Sequence, residues 1–437
     1  MTLFCPLCFS NKGLKRRLEE VRKEYDEGKC DRHPRRKGIP IEAVAAIVDE
    51  VFRNNYEFGE ADPIFSNDPE EPEVWFERKG DRLIDVVEHL TGAEDEDIAL
   101  AVTNQLIADD SYWPSDGEEP FYDDEFRYER TQHGDGGNER LWQRFCTAVV
   151  HERRFFNDDA RDALRAIFKD IHLQRDTARV SPVYLIDPAN TPTIIFRARI
   201  VSEEELRKIV ADPVARMGAA PQRIGHANRM NPSGVTAFYG SFDLPTCLSE
   251  LRPKVGDLVV AAQFTIRRPL CVLDTTRFIK PPQELNLFAQ DHIRRLSQWR
   301  FMQTFMATIA RPISPDDEHL DYVPTQAVAE YLNSEHLVWM GKEKRHIDAI
   351  IYTSAQRPAG KNIVFLGHAA ITEPVDPPTA KRGVATAPSF DLSILTRPLL
   401  PASGLDMLPG SLWPVTVTQA DFGHETEQLY ASSSPNF

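Results

Sequence analysis

Near residue 180 the hydrophobic pattern changes period, and that change constrains the fold more than any single motif. Before it, apolar residues recur at helical spacing over Ile41–Asn54, Asp81–Leu90, Asp97–Ala108, Glu139–Phe155 and Asp158–Ile171. Gly92 breaks the second helix from the third, and Asn157 is placed to cap the last. The acidic, aromatic stretch Asp109–Asp135, with Tyr112 and Trp113, reads as irregular. After a loop at Arg175–Ser181, strands are expected at Val183–Ile186 and Thr193–Ile200, the second placing Ile195, Arg197 and Arg199 on one face. Further strands are expected at Leu258–Ile266, Leu270–Leu273, His346–Ser354 and Asn362–Leu366. Ser202 to Glu205 forms a capping box. Glu284–Ala310 is mostly helical, and Thr325–Leu332 is a helix starting after Pro324. The expectation is a multidomain chain: a knuckle over 1–40, an all-α domain over 41–175, an α+β domain over 180–370 and a Pro-rich extension over 371–437. Within that extension, Leu392–Leu395 and Leu412–Val417 are apolar enough to strap onto the domain.

The knuckle rests on Cys5-x2-Cys8 and, 21 residues later, Cys30-x2-His33. Two pairs of thiol or imidazole ligands at this spacing suit tetrahedral zinc, held apart by a charged amphipathic helix over Leu14–Glu27. The alternative is a redox CxxC. With all four positions filled, a closed structural Zn2+ site is preferred, with no ligand position left for catalysis. Six cysteines in 437 residues do not make a disulfide scaffold. The start of the chain lacks the apolar run of a signal peptide and no stretch suits a membrane span, so a cytoplasmic location is expected.

The net charge of −16 is unevenly placed. Residues 1–40 carry 11 Lys and Arg against 6 Asp and Glu, while residues 41–135 carry 6 against 28. The acidic block argues against nucleic acid as a partner, because phosphates would be repelled; it reads as a solvated surface or a dock for a basic protein. Arg144 and His151 have an R-x6-H spacing used by HEPN ribonucleases, but a packing or surface salt-bridge role is the preferred reading.

Chemistry concentrates between Arg229 and Arg252. An Asn231-Pro-Ser-Gly234 turn beside Arg229 leads into an aromatic strand, Thr236–Ser241, and then into a helix with Asp243 as N-cap and Glu250 two turns in. Arg197, Arg229, Tyr239, Glu250, Ser354 and Asn362 all sit near strand ends or on the following helix. Two arginines can grip a diphosphate, and a tyrosine offers a ring face and a hydroxyl. A single carboxylate suits a cationic, oxocarbenium-like transition state better than a metal centre or a Ser-His-Asp triad. NAD is a substrate with that profile. Singly, each residue is as ordinary as a surface ion pair or a core tyrosine; the joint order is what carries weight.

Phe196-Arg197-Ala198, Arg229-Met-Asn-Pro-Ser-Gly234, Ala237-Phe-Tyr239, Thr246-Cys-Leu-Ser-Glu250 and Ile350-Ile-Tyr-Thr-Ser354 resemble the RES-domain family over about residues 180–370, with Thr325-Gln326 and Lys361-Asn362 also in keeping. The resemblance implies an ADP-ribosyltransferase-like core and a toxin of a toxin–antitoxin system. Such a toxin degrades NAD by phosphorolysis or hydrolysis, or ADP-ribosylates a protein. It implies that Arg197 and Arg229 hold the diphosphate and nicotinamide ribose, and that Tyr239 stacks on or hydrogen-bonds nicotinamide. Glu250 would bind the ribose hydroxyls and stabilise the cation, Ser354 would bind the carboxamide or an incoming phosphate, and Asn362 would help bind NAD. An antitoxin or inhibitory protein is the implied partner. The front half resembles the HEPN-like helical domain, headed by paired CxxC knuckles, that accompanies some RES domains; His33 stands where a fourth cysteine is usual. An RNA-binding or RNA-cleaving protein is the reading from a different class.

Overall fold

A computed structural model describes residues 2–25, 28–65, 74–110, 120–134, 136–220, 227–310, 318–374 and 403–418. Two compact units emerge: Met1–Asn138 with Gln283–Arg300, and Glu139–Pro282 with Phe301–Phe437. Tyr112, Trp113 and Leu392–Leu395 lie outside the described residues.

In the first unit, Ile41–Asn55, Leu83–Thr91 and Glu96–Asp110 are helices close to their expected bounds. Gly92 ends the second in a left-handed cap (φ 58°). The helix between the cysteine pairs is Lys12–Val21, capped by Asn11, whose side chain accepts from Gly13 and Leu14 N–H. Knuckle and helices share one core, in which Phe4, Cys8 and Phe9 pack with Val44, Val48, Phe52 and Leu90. A 40-residue knuckle alone buries too little apolar surface for a core of its own.

The all-α expectation for 41–175 does not hold. Tyr56–Phe58, Asp81–Arg82 and Arg127–Arg130 form a three-stranded antiparallel sheet, and Ala61–Phe65 pairs with Val74–Arg78. Alternation over two to five residues is too short to stand out from the surrounding helical period. Tertiary packing decides here: Phe52, Phe58, Phe121 and Tyr128 form an aromatic cluster with centroids 5.2–6.1 Å apart in the pairs Phe52–Tyr128, Phe58–Phe121, Phe58–Tyr128 and Phe52–Phe121. Residues 139–175 belong to the second unit.

The second unit is built on a ten-stranded mixed sheet. Its order runs Thr372–Pro374, Leu405–Met407, Leu258–Ile266, Ile194–Ile200, Ala237–Ser241, Lys361–Leu366, Ala349–Thr353, Leu270–Asp274, Val183–Ile186, with Trp413–Thr416 also paired to Leu258–Ile266. Only Leu270–Asp274 with Ala349–Thr353, and Thr372–Pro374 with Leu405–Met407, are parallel. Ile266 and Leu270 are four Cα steps apart, so they lie within about 14 Å. In a flat sheet their strands, five spacings apart in this order, would be ~24 Å apart. The sheet is therefore curled, and its concave face holds a core of Ile195, Phe238, Phe264, Val272, Ile351 and Phe365. The opposite face packs Ala198, Val259 and Ala261 against Cys247 of the Leu244–Glu250 helix.

Three local expectations are revised. The helix expected to start after Pro324 spans Glu318–Ser334 with Pro324 inside it. At that turn the Thr325 hydroxyl oxygen lies 3.0 Å from the Tyr322 carbonyl oxygen. The helix expected over Glu139–Phe155 is Asn138–Thr147 followed by a wide π-helical turn, Ala148–Glu152. Part of the C-terminal extension is integral to the sheet, with Leu405 and Met407 buried and Trp413–Thr416 in register with Leu258–Ala261. The last strand realises the strap expected at Leu412–Val417. Among the described residues no helix is long and apolar enough to cross a membrane.

Candidate active site

A cleft of about 530 Å³ opens in the second unit and is lined by Arg197, Arg229, Tyr239, Ser241, Glu250 and Asn362, together with Tyr322, Tyr352, Arg252 and Gln356. Register builds its floor. Ser241 pairs with Phe196 on one side and Asn362 on the other, and Asn362 pairs with Tyr352, so one cross-strand row carries all four residues. The opening comes from a parting of strands. Ile194–Ile200 pairs with Leu258–Ile266 at seven positions but meets Ala237–Ser241 only at Phe196–Ser241. Gly240 allows that single meeting, since a Cβ there would lie 2.4 Å from Ile195 Cγ2 and 2.9 Å from the Phe196 carbonyl oxygen.

Glu250 is the last residue of its helix, whose N-cap Asp243 accepts from Thr246 N–H. A carboxylate at a helix C-terminus meets the negative end of the backbone dipoles, so its position is not explained by helix stability. Two donors hold it: Ser354 Oγ donates to Glu250 Oε1 (2.5 Å), and Asn362 Nδ2 donates to the same oxygen (2.8 Å). Asn362 is oriented in turn by the buried Ser241 hydroxyl, which donates to its Oδ1 (2.6 Å). Ser354 Oγ accepts from the N–H groups of Gln356 and Arg357 (3.1 Å each), so its proton is directed at Glu250. Arg252, two residues on, has the left-handed backbone (φ 46°) that bulky side chains avoid.

Arg197 is half-buried. Its guanidinium lies over the Phe238 ring (4.5 Å) and Nη1 donates a long hydrogen bond to the Tyr239 carbonyl (3.5 Å), in the gap between the parted strands. Desolvation, then repulsion from Arg199, lowers its pKa to about 9. No salt bridge to a carboxylate is formed by Arg197 among the described residues. A guanidinium so placed is set up to receive an anion.

Arg229 sits on a small loop closed by mutual Asn228–Asn231 backbone hydrogen bonds. Thr325 Oγ1 donates to the Arg229 carbonyl, and Gln326 Nε2 donates to the carbonyls of Asn228 (2.8 Å) and Asn231 (3.2 Å). The Thr325-Gln326 pair therefore positions the arginine. The Tyr239 hydroxyl is committed to the same loop: it donates to Asn231 Oδ1 (2.9 Å) and accepts from Met230 N–H (2.9 Å). That leaves its ring, rather than its hydroxyl, for a ligand. Burial raises the pKa of Tyr352 in the cleft, and the charge of Glu250 adds to the effect.

Sequence reasoning missed Ser241, Tyr322, Tyr352, Arg252 and Gln356. Two of them were within reach: Ser241 shares the strand face of Tyr239 by period two, and Tyr352 lies two residues before Ser354. Arg144 and His151 line different clefts. Arg144 lines one cleft with Arg140, Asn157 and Asp159, and His151 lines another with Trp142 and Arg229. The π turn between them breaks the α-helical register that would have stacked them.

The Cys5, Cys8, Cys30 and His33 donor atoms all lie within 4.8 Å of one another. Cys8 Sγ is 3.4 Å from both Cys30 Sγ and His33 Nδ1, and Cys5 Sγ is 4.0 Å from Cys8 Sγ and 3.5 Å from His33 Nδ1. A tetrahedron of about 2.3 Å bonds has edges of about 3.8 Å, so the four donors fit Zn2+. His33 Nε2 faces Glu94 Oε2 at 3.4 Å, the outer carboxylate expected to orient a ligating imidazole. Burial raises the Cys8 thiol; at Cys30 burial opposes ionisation, but the donors around it, the His33 N–H foremost, bring it to about 7.

No curated protein and no solved structure matches the chain. A family model described as the RES domain matches residues 197–385, from the arginine on the parted strand through Asn362 and beyond. RES domains are known from toxins that act on NAD. The chain carries a RES domain over residues 197–385.

Proposed function

We propose that this protein degrades NAD by cleaving its nicotinamide–ribose bond, as a RES-type toxin, with the Glu250 cleft as the site. The observation that carries the reading is one carboxylate aimed by two donors, Ser354 and Asn362, in a cleft that also holds Arg197. When the C–N bond breaks, its electron pair passes to the ring nitrogen and neutral nicotinamide leaves. The positive charge left on the ribose is what an oriented carboxylate stabilises. Glu250 Oε1 is already occupied by two donors, so Oε2 is the atom free to bind the ribose hydroxyls. Arg197 and Arg229 take the diphosphate, and the Tyr239, Tyr322 and Tyr352 rings supply the walls against which a pyridine ring packs. Phosphate or water then adds to the ribose carbon, giving a sugar phosphate or ADP-ribose. A protein side chain in the same place would make the enzyme a mono-ADP-ribosyltransferase.

The zinc site is read as structural, because three of its four ligands, Cys5, Cys8 and Cys30, are part of the core of the first unit. An antitoxin or other inhibitory protein remains the expected partner. The test is incubation of the full chain with NAD, with and without inorganic phosphate, following free nicotinamide by chromatography. A phosphate-dependent sugar phosphate identifies phosphorolysis, ADP-ribose identifies hydrolysis, and label retained on protein identifies transfer. NAD left intact under all conditions sinks the reading.

A further inference from the structure

Beside the Glu250 cleft the second unit has another, of about 370 Å³, lined by Trp142, Cys146, Val150, His151, Asp321 and Pro324 among others. Arg229 is common to both clefts. Its guanidinium lies 5.6 Å from the ring centre of Tyr322, which lines the first cleft, and its Nη1 donates to the carbonyl of Thr308 (3.4 Å), which lines the second. One cation thus forms part of the wall between two cavities. Several of the residues in the second cleft, from Trp142 to His151, lie outside the RES domain, on the helix preceding it and its π turn.

We propose that the second cleft binds the adenosine half of NAD, so that this helix and its π turn add a specificity site to the RES domain. The inference rests on the NAD reading of the Glu250 cleft and deepens it. A dinucleotide held by its diphosphate at Arg229 must direct its two nucleosides away from that point. With the nicotinamide ribose at Glu250, the adenosine faces the cleft on the other side. The walls there suit a nucleoside: Trp142, Val150, Leu320 and Pro324 offer apolar surface for a purine, and Thr147, Thr308 and Thr325 set hydroxyls among them. Asp321 can accept from the adenine amine or the ribose hydroxyls, and His151 can donate to a ring nitrogen or accept from a hydroxyl. The π turn has a local consequence as well. An uninterrupted α-helix would stack His151 over Arg144, whereas the extra residue in the turn leaves Val150 and His151 in the cleft beside Arg229. Wide turns of this kind are frequent at binding sites.

The experiment compares kcat/KM for NAD and for nicotinamide mononucleotide, which lacks the AMP half, in the full-length protein. Wild type should prefer NAD by at least about tenfold, the worth of a modest nucleoside contact. Val150→Trp, which fills the cleft, and His151→Ala, which removes a polar contact without adding bulk, should each shrink that preference. AMP should compete with NAD in wild type and lose that ability in Val150→Trp. A folding defect lowers turnover of both substrates alike and leaves their ratio unchanged, so the ratio is insensitive to it. Equal use of both substrates by wild type overturns the inference, as does a preference that survives both substitutions. Failure of wild type to cleave either substrate brings down the NAD reading itself and is recognisable as that separate failure.

Discussion

Substituting Glu250→Gln separates a catalytic carboxylate from a structural one. The amide oxygen of Gln keeps the shape and still accepts from Ser354 Oγ and Asn362 Nδ2, so the local geometry is retained. Two changes in stability oppose each other. Each hydrogen bond loses its charge assistance, worth up to about 1 kcal/mol and less at an exposed residue. Removing a negative charge from a helix C-terminus returns about 0.3–1 kcal/mol. The net change is within about 1 kcal/mol, or roughly 2–4 °C in Tm for a unit of this size. Activity should respond far more, because the group facing the developing ribose cation has lost its charge. Loss of one oriented electrostatic group costs about 10²–10³ in kcat, or ~3–4 kcal/mol. Nicotinamide release measured at saturating NAD, beside a thermal melt of the same sample, tests both halves. Turnover within about threefold of wild type refutes the assignment of Glu250, since so small a change is under 1 kcal/mol of barrier. Lost turnover accompanied by a collapsed melting temperature refutes the claim that the carboxylate is held for chemistry rather than for the fold.

Asn362→Ala should behave differently, costing about 1–3 kcal/mol of stability because it strands the buried Ser241 hydroxyl. It should also slow nicotinamide release by freeing Glu250 from one of its two donors; an unchanged melt and an unchanged rate together contradict this chain of contacts. Arg197→Met removes a half-buried charge that has no carboxylate partner among the described residues, so the ligand-free protein should melt no lower than wild type, while the upward shift in Tm produced by NAD is lost. Glu94→Gln should weaken zinc binding by about 10–100-fold, measured by competition with a chromogenic chelator; wild-type affinity in that variant removes Glu94 from the site.

How much of this was legible in the residues follows from the range of the forces involved. Helix starts and stops are local: the Asp243 and Asn157 caps, the Ser202 capping box and the Gly92 stop depend on hydrogen bonds within a few residues, and all four stand as expected. The clustering of Cys5, Cys8, Cys30 and His33 was legible for the same reason, since a two-residue spacing brings two donor side chains together by local backbone geometry. The small sheet of the first unit was not, because strands of two to four residues are stabilised by aromatic partners far along the chain. Nor was the wide turn at Ala148–Glu152, which interrupts an otherwise continuous helical pattern.

For the Glu250 cleft, the chain by itself determined the inventory: two arginines, a glutamate, a serine and an asparagine between Arg197 and Asn362. Tertiary structure alone decided how they are arranged. Register placed Ser241, Asn362 and Tyr352 in one row, the parting of two strands opened the cleft beside Arg197, and the Asn231 loop took the Tyr239 hydroxyl out of use. These are contacts between residues up to 121 positions apart. Residue order restricts which groups are present, but only the curled sheet determines which of them meet.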